Sequence, residues 1–274
     1  MGSEKNKSVR GGHMAGSKQW VINLIARRNP IFGAQLERIG LLRIVPGALA
    51  MYLLIPVYIL RHVVVMIVLY NGIVCPLLGV ERVRLRNYII IDRHLIPGLS
   101  FTGRFHCIYC GYANGICVAT GVLLTQLSAV SARSVSALQR AAAAIPYLLA
   151  TLLSSISQLL VVTLYNGVMS PMLGLYRASF ADAYSGMQAN GFGEQFSVYG
   201  GAGKGALHFE HACAWLEANA LEQVESQWCP IKHLPKPGAV YPEHHKFFIE
   251  RCELCELKKV LVCEGSLSPR KPRY

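Results

Sequence analysis

Residues 144–176 read AIPYLLATLLSSISQLLVVTLYNGVMSPMLGLY, within a run of 36 positions between Arg140 and Arg177 that carries no charged side chain. As one helix this run would be about 54 Å long at 1.5 Å per residue, against a hydrocarbon core of roughly 30 Å. It must bend, or end inside itself. Most of its landmarks also stand 95 positions earlier. Tyr52-Leu53-Leu54 returns as Tyr147-Leu148-Leu149, Leu69-Tyr70-Asn71-Gly72 as Leu164-Tyr165-Asn166-Gly167, and Pro76 with Leu78-Gly79 as Pro171 with Leu173-Gly174. Matches at one offset that include Asn-Gly and Pro are not hydrophobic filler, and they predict a duplicated apolar helix–turn unit. Asn-Gly tolerates positive φ and Pro blocks a restart, so the expected helices run near 46–70 and 146–165 and close at Asn-Gly.

The first copy holds one charge between Arg43 and Glu81, at Arg61. A charge inside such a helix must snorkel or find a partner, and snorkelling is the expectation here. A third uncharged stretch lies between Arg104 and Arg133, with a core at 113–132. Its Gly, Ser and Thr content suits a helix buried among others better than one facing lipid.

The composition agrees. Only 15% of the 274 residues are charged and 53% are hydrophobic, with 27 Lys and Arg against 15 Asp and Glu; mean hydropathy is +0.35. Neither a disordered polymer nor a nucleic-acid-binding tail carries so much apolar surface. The basic excess points to an anionic lipid surface instead. The predicted class is an all-α helical membrane protein with a small polar, metal-stapled region.

Along the chain, residues 1–19 are a polar basic N-terminus lacking the apolar stretch of a cleavable signal. Residues 20–43 form an interfacial amphipathic segment. The first apolar repeat covers 44–80, a polar loop with a CxxC covers 81–112, and a helical pair including the second repeat covers 113–176. A Gly-rich linker at 177–206 leads into a polar Cys/His region at 207–274, which opens with a predicted helical stretch, Leu207 to Gln227. Gly200-Gly201-Ala202-Gly203-Lys204-Gly205 is not a phosphate loop, because Val198 and Gly205 stand where Gly and Ser or Thr are needed. His208, Glu210 and His211 lack the pairing of a di-iron bundle and read as surface.

Nine cysteines in such a chain are not a disulfide scaffold. Cys75, Cys117 and Cys213 are isolated and expected to pack. Cys107-Ile108-Tyr109-Cys110 is a CxxC, and Cys229-Pro230-Ile231-Lys232-His233 sets a thiolate and an imidazole four apart. Cys252-Glu253-Leu254-Cys255 is a second CxxC, with His244 and His245 before it and Cys263 after. A tetrahedral zinc site needs four such ligands. Cys107 and Cys110 with Cys229 and His233 give a Cys₃His set, and with Cys252 and Cys255 a Cys₄ set. Two separate sites are a further possibility, the second drawing on His244 or His245, Cys252, Cys255 and Cys263. Redox-active dithiols and plain packed thiols are the alternatives to metal.

These words also carry a resemblance. Asp92-Arg93-His94 with Pro97 and Leu99, the block Cys107-Ile108-Tyr109-Cys110-Gly111-Tyr112-Ala113-Asn114-Gly115, and Glu225 with Trp228-Cys229-Pro230-Ile231-Lys232-His233 resemble a family of small uncharacterised bacterial proteins. That family is marked by a C-x-Y-C-x-Y-A-N-G block and a W-C-P-I-K-H block, and the resemblance covers about 60 residues of this chain. The resemblance implies that Cys107, Cys110, Cys229 and His233 belong together; it implies no activity. In the family one short helix joins the blocks, whereas more than 110 residues separate them here. Cys252 and Cys255 fall outside the shared words.

A shared ion requires both blocks on one side of the bilayer. Three spans satisfy this, with 113–132 leaving and 146–170 returning and the two repeats parallel. Monotopic hairpins, each apolar run dipping into one leaflet, satisfy it too. Basic residues are spread through all polar segments, so the positive-inside rule does not choose. The thiol-bearing side is expected to face the cytoplasm of a bacterial inner membrane, where thiols stay reduced. The functional expectation is a membrane protein with a closed, structural zinc site, serving as scaffold or subunit of a membrane assembly. Its rival is a membrane-bound iron or dithiol redox protein, or an enzyme acting on a lipid or quinone, with Tyr109, Tyr112, Arg93 and His94 lining the site. No nucleophile–base pair or cofactor loop is evident, and substrate and reaction stay open.

Overall fold

The structure, a computed structural model, describes residue 36 and residues 40–228 other than 92, 96–100, 174, 176, 182, 185–191, 193 and 194. Residues 1–19, most of 20–43 and all of 229–274 therefore lie outside the described residues. Regular structure among the described residues is helical throughout. The first rod comprises α1 (Leu41–Leu53), α2 (Ile55–Leu60), π-helical turns over Arg61–Val74, and α3 (Cys75–Leu78). Short 3₁₀ turns at Leu85–Asn87 and Arg93–Leu95 follow, then α4 (Phe101–Ser128). The second rod is α5 (Ala137–Leu164), π-helical turns over Tyr165–Met169, and α6 (Ser170–Leu173); α7 (Gly200–Trp228) comes last.

Three of these helices are long and apolar enough to cross a membrane: Leu41–Leu78, Phe101–Ser128 and Ala137–Met172. In the first, the α pattern is interrupted at Leu54, two residues before Pro56, and the helical run continues through it to Leu78. The third-stretch expectation stands. The apolar window of α4 is 67% buried, against 33% and 50% in the two rods. Ser136 starts α5 through a capping box with Gln139, each side chain taking up an otherwise unpaired backbone N–H.

Asn-Gly does not close the helices. Asn71-Gly72 and Asn166-Gly167 sit inside π-helical turns that continue into α3 and α6. Among described glycines only Gly40, Gly79 and Gly200 have positive φ. Gly79, at φ 67°, ends the first rod, with Val80 N–H donating to the Cys75 carbonyl at 2.9 Å. At the second rod Leu175 N–H donates to the Ser170 carbonyl at 2.9 Å. The wider turns carry the chain past Pro76 and Pro171, each lacking an N–H and crowding the carbonyl four residues back. The asparagines act as clasps. Asn71 accepts from Val83 N–H at 2.8 Å and donates to its carbonyl at 3.1 Å. Asn166 does the same to Ala178, at 2.8 and 2.9 Å.

Side-chain contacts fix the directions. Along α4, His106 meets Tyr52, Tyr109 meets Tyr58, Tyr112 meets His62 and Thr120 meets Met66, so α4 runs parallel to the first rod. The steady progression shows the first run to be a rod, not a hairpin. On the second rod, Thr151 meets Tyr70 while Val161, Tyr165 and Met169 cluster with Ile44 and Tyr58. The two rods are therefore antiparallel, not parallel as the shared-ion argument required. Helix α7 is antiparallel to the first rod as well, with Glu210 at Tyr70 and Glu217 at Arg61. Between the first rod and α4, the chain returns along the bundle. Its backbone at Tyr88–Ile90 lies so close to α4 that a Cβ at Gly111 would stand 2.3 Å from the Ile90 carbonyl oxygen, and one at Gly115 2.5 Å from Ile89 Cα.

Candidate functional site

Helix α7 starts at Gly200, so the glycine run assigned to a linker forms its first turns. A Cβ at Gly203 would crowd Tyr199 at 2.5 Å, and Tyr147 Oη donates to the Gly203 carbonyl at 3.3 Å. Seven residues past Gly203 is Glu210, and seven further is Glu217, two helical turns apart on the face that also buries Leu207, Ala214 and Ala220. Both carboxylates are fully buried, and His211 is 7% exposed, so the reading of this triplet as surface is corrected for Glu210 and His211. His208, partly buried, engages the Phe192 carbonyl.

Arg61 is also buried, at 1% exposure. It does not snorkel. Its Nη1 meets Glu217 Oε2 at 2.5 Å, and its guanidinium carbon lies 5.1 Å from the Tyr58 ring centroid. A charge inside an apolar rod is tolerated where a counter-charge on a neighbouring helix meets it. Arg61 Nε and Nη2 and Glu217 Oε1 have no hydrogen-bond partner among the described residues.

Two turns up α7, Glu210 stands in different company. Tyr70 donates to its Oε2 at 2.5 Å and contacts Thr151 Oγ1 at 3.3 Å. Thr151 and Ser154 hydroxyls face the same carboxylate. Gln158, one turn along α5, donates from Nε2 to Ser154 Oγ at 3.3 Å, while its Oε1 and Glu210 Oε1 lack hydrogen-bond partners among the described residues.

The CxxC thiols lie toward the other end of the bundle. Cys107 and Cys110 lie two to three turns inside α4, not in a loop ahead of it. Cys107 is buried and Cys110 partly buried. Cys110 lines a small cleft walled mainly by Tyr58, Tyr109, Tyr165 and, from α7, Val224. Cys75, Cys117 and Cys213 are buried in packing, as expected for isolated cysteines. Cys229, His233, His244, His245, Cys252, Cys255 and Cys263 lie outside the described residues, so the Cys₃His and Cys₄ sets are each represented only by Cys107 and Cys110. No group of three metal-ligating side chains occurs among the described residues.

No protein-family model, curated protein or solved structure matches this chain.

Tyr109 lines the cleft, but Tyr112 turns to His62 Nδ1 at 2.8 Å, and Arg93 and His94 sit in a 3₁₀ turn packed on α4. The sequence reading missed the buried polar set of Tyr70, Thr151, Ser154, Gln158, Glu210 and Glu217. Its signal was present as polar letters three and four apart inside an apolar run, and as two Glu seven apart on a helix.

Proposed function

We propose that the chain is an integral membrane protein of two copies of one helical unit in opposite orientation, with a metal-binding thiol site at one end of the bundle. The matched clasps of Asn71 and Asn166, the π-helical turns and the antiparallel rods support the duplication. The metal is zinc, held by Cys107, Cys110, Cys229 and His233. It staples the C-terminal region to the bundle, and the protein serves as a scaffold or subunit of a membrane assembly on an anionic lipid surface. The thiol-bearing end faces the cytoplasm of a bacterial inner membrane.

One observation carries the shared site. Cys110 of α4 and Val224 of α7 line the same cleft, and the two helices run in opposite directions. Descending from Cys110 to Cys107 covers about 4.5 Å along α4, and descending from Val224 to the end of α7 covers about 6 Å. Cys229 is the next residue in the chain. Two CxxC thiols on one helical face and a thiolate delivered alongside suit a closed tetrahedral site, whose binding energy becomes folding energy.

The cleft favours a second reading. A partly buried thiol on an aromatic, apolar wall also suits an iron or dithiol centre acting on a lipid or quinone. Elemental analysis of the purified full-length protein separates the two. One zinc per chain, lost with the melting temperature in Cys229→Ser, supports the staple. Iron with colour, lost in Cys229→Ser while the fold survives, supports the redox centre. Absence of both metals in protein prepared without chelator overturns the metal site.

A further inference from the structure

We propose that Glu210, Tyr70, Thr151, Ser154 and Gln158 form a binding site for a monovalent cation of the sodium class, separate from the thiol end. The argument begins with charge. Glu217 is paired directly with Arg61 at 2.5 Å, whereas Glu210 is hydrogen-bonded by the neutral hydroxyls of Tyr70, Thr151 and Ser154 and feels Arg61 only through space. A fully buried carboxylate without a matched cation carries a large desolvation cost, which a bound ion removes.

Ligand chemistry follows. Hard cations select oxygen donors, and five oxygen-bearing side chains from three separate segments converge here. Tyr70 Oη is 2.5 Å from Glu210 Oε2 and 3.3 Å from Thr151 Oγ1. Gln158 is fully buried, and its amide nitrogen is held by Ser154 Oγ at 3.3 Å. Its Oε1 and Glu210 Oε1 are both without partners among the described residues. Both are acceptors while Glu210 is ionised, so neither then satisfies the other, and either a proton on Glu210 or a bound cation would relieve the pair. A cation engages the whole set at once. Thr151, Ser154 and Gln158 fall at i, i+3 and i+7 on α5, one face of the helix, and Tyr70 comes to them from the first rod.

The test is the melting temperature of the purified full-length protein in detergent, with sodium chloride replaced stepwise by choline chloride at constant ionic strength. The expected result is a saturable rise of a few degrees with sodium, as binding to the folded state requires. Glu210→Gln and the isosteric Thr151→Val should each abolish the sodium dependence. Thr151→Val keeps the test available if Glu210→Gln does not fold. Equal melting in sodium and choline overturns the proposal, as does a sodium response that survives in Thr151→Val. Melting that follows pH but ignores sodium also overturns it and assigns a proton to Glu210.

Discussion

Arg61 and Glu217 lie 156 residues apart in the chain and meet at 2.5 Å between the first rod and α7. Removing one partner leaves the other charge buried and unmatched, so Arg61→Leu or Glu217→Leu should each cost about 3–5 kcal/mol of stability. Arg61→Met combined with Glu217→Leu removes both charges and should recover most of that loss. Thermal melting of the three variants in detergent checks this; a double variant no more stable than either single one contradicts the pairing.

The return segment passes against α4 where α4 has no side chains. Gly111→Ala and Gly115→Ala each drive a methyl into backbone atoms at 2.3–2.5 Å, which cannot move aside as a side-chain tip can. Each should cost about 1–3 kcal/mol. Gly121 on the same helix has open space around its Cβ position. Gly121→Ala should be neutral, or stabilising by up to about 1 kcal/mol through helix propensity. Equal losses at all three positions would show that close approach is not the cause.

Asn71→Ala and Asn166→Ala each remove one donor and one acceptor from an equivalent clasp. Losses of about 1–3 kcal/mol are expected for each, similar in size. Denaturation midpoints of both variants measure the comparison. A large loss at one site and none at the other would argue against a common structural unit.

Three of the cysteines, Cys75, Cys117 and Cys213, are buried in packing, and Cys110 stands on the cleft wall. In the zinc-staple reading, adding a chelator to folded protein should sharply accelerate maleimide labelling of Cys107 and Cys110 and leave those three slow. Mass spectrometry of labelled peptides reads this directly. Unchanged labelling after chelation would argue that neither Cys107 nor Cys110 is a ligand.

Much of the fold was legible because apolar runs free of charge leave few options in a chain of this composition. The 95-residue spacing located both rods and both asparagines, but it assigned those asparagines to the wrong task. Asn-Gly is a good helix ending in isolation, and only the neighbouring strand of chain at Val83 and Ala178 makes it a clasp inside a continuing helix. Arg61 was visible, but its partner was not, because a local reading cannot place Glu217 beside it across the bundle. A helix over 207–227 was legible, but its start at Gly200 and its burial were hidden by its composition. Its glycines and charges look like a solvated linker and surface helix until the structure shows the helix starting at Gly200 and the carboxylates facing inward. The direction of the second rod was likewise invisible, since a repeat in sequence does not state its orientation in space.

The most direct test of the architecture is cross-linking between Cys110 and a cysteine placed at 224, using a short bifunctional maleimide on a chain whose other cysteines are replaced and which remains monodisperse. Antiparallel packing of α4 and α7 predicts efficient intramolecular cross-linking of Cys110 with Val224→Cys and none with Leu207→Cys. Cross-linking to position 207 in place of 224 would reverse the direction of α7, and with it the delivery of Cys229 to the thiol end.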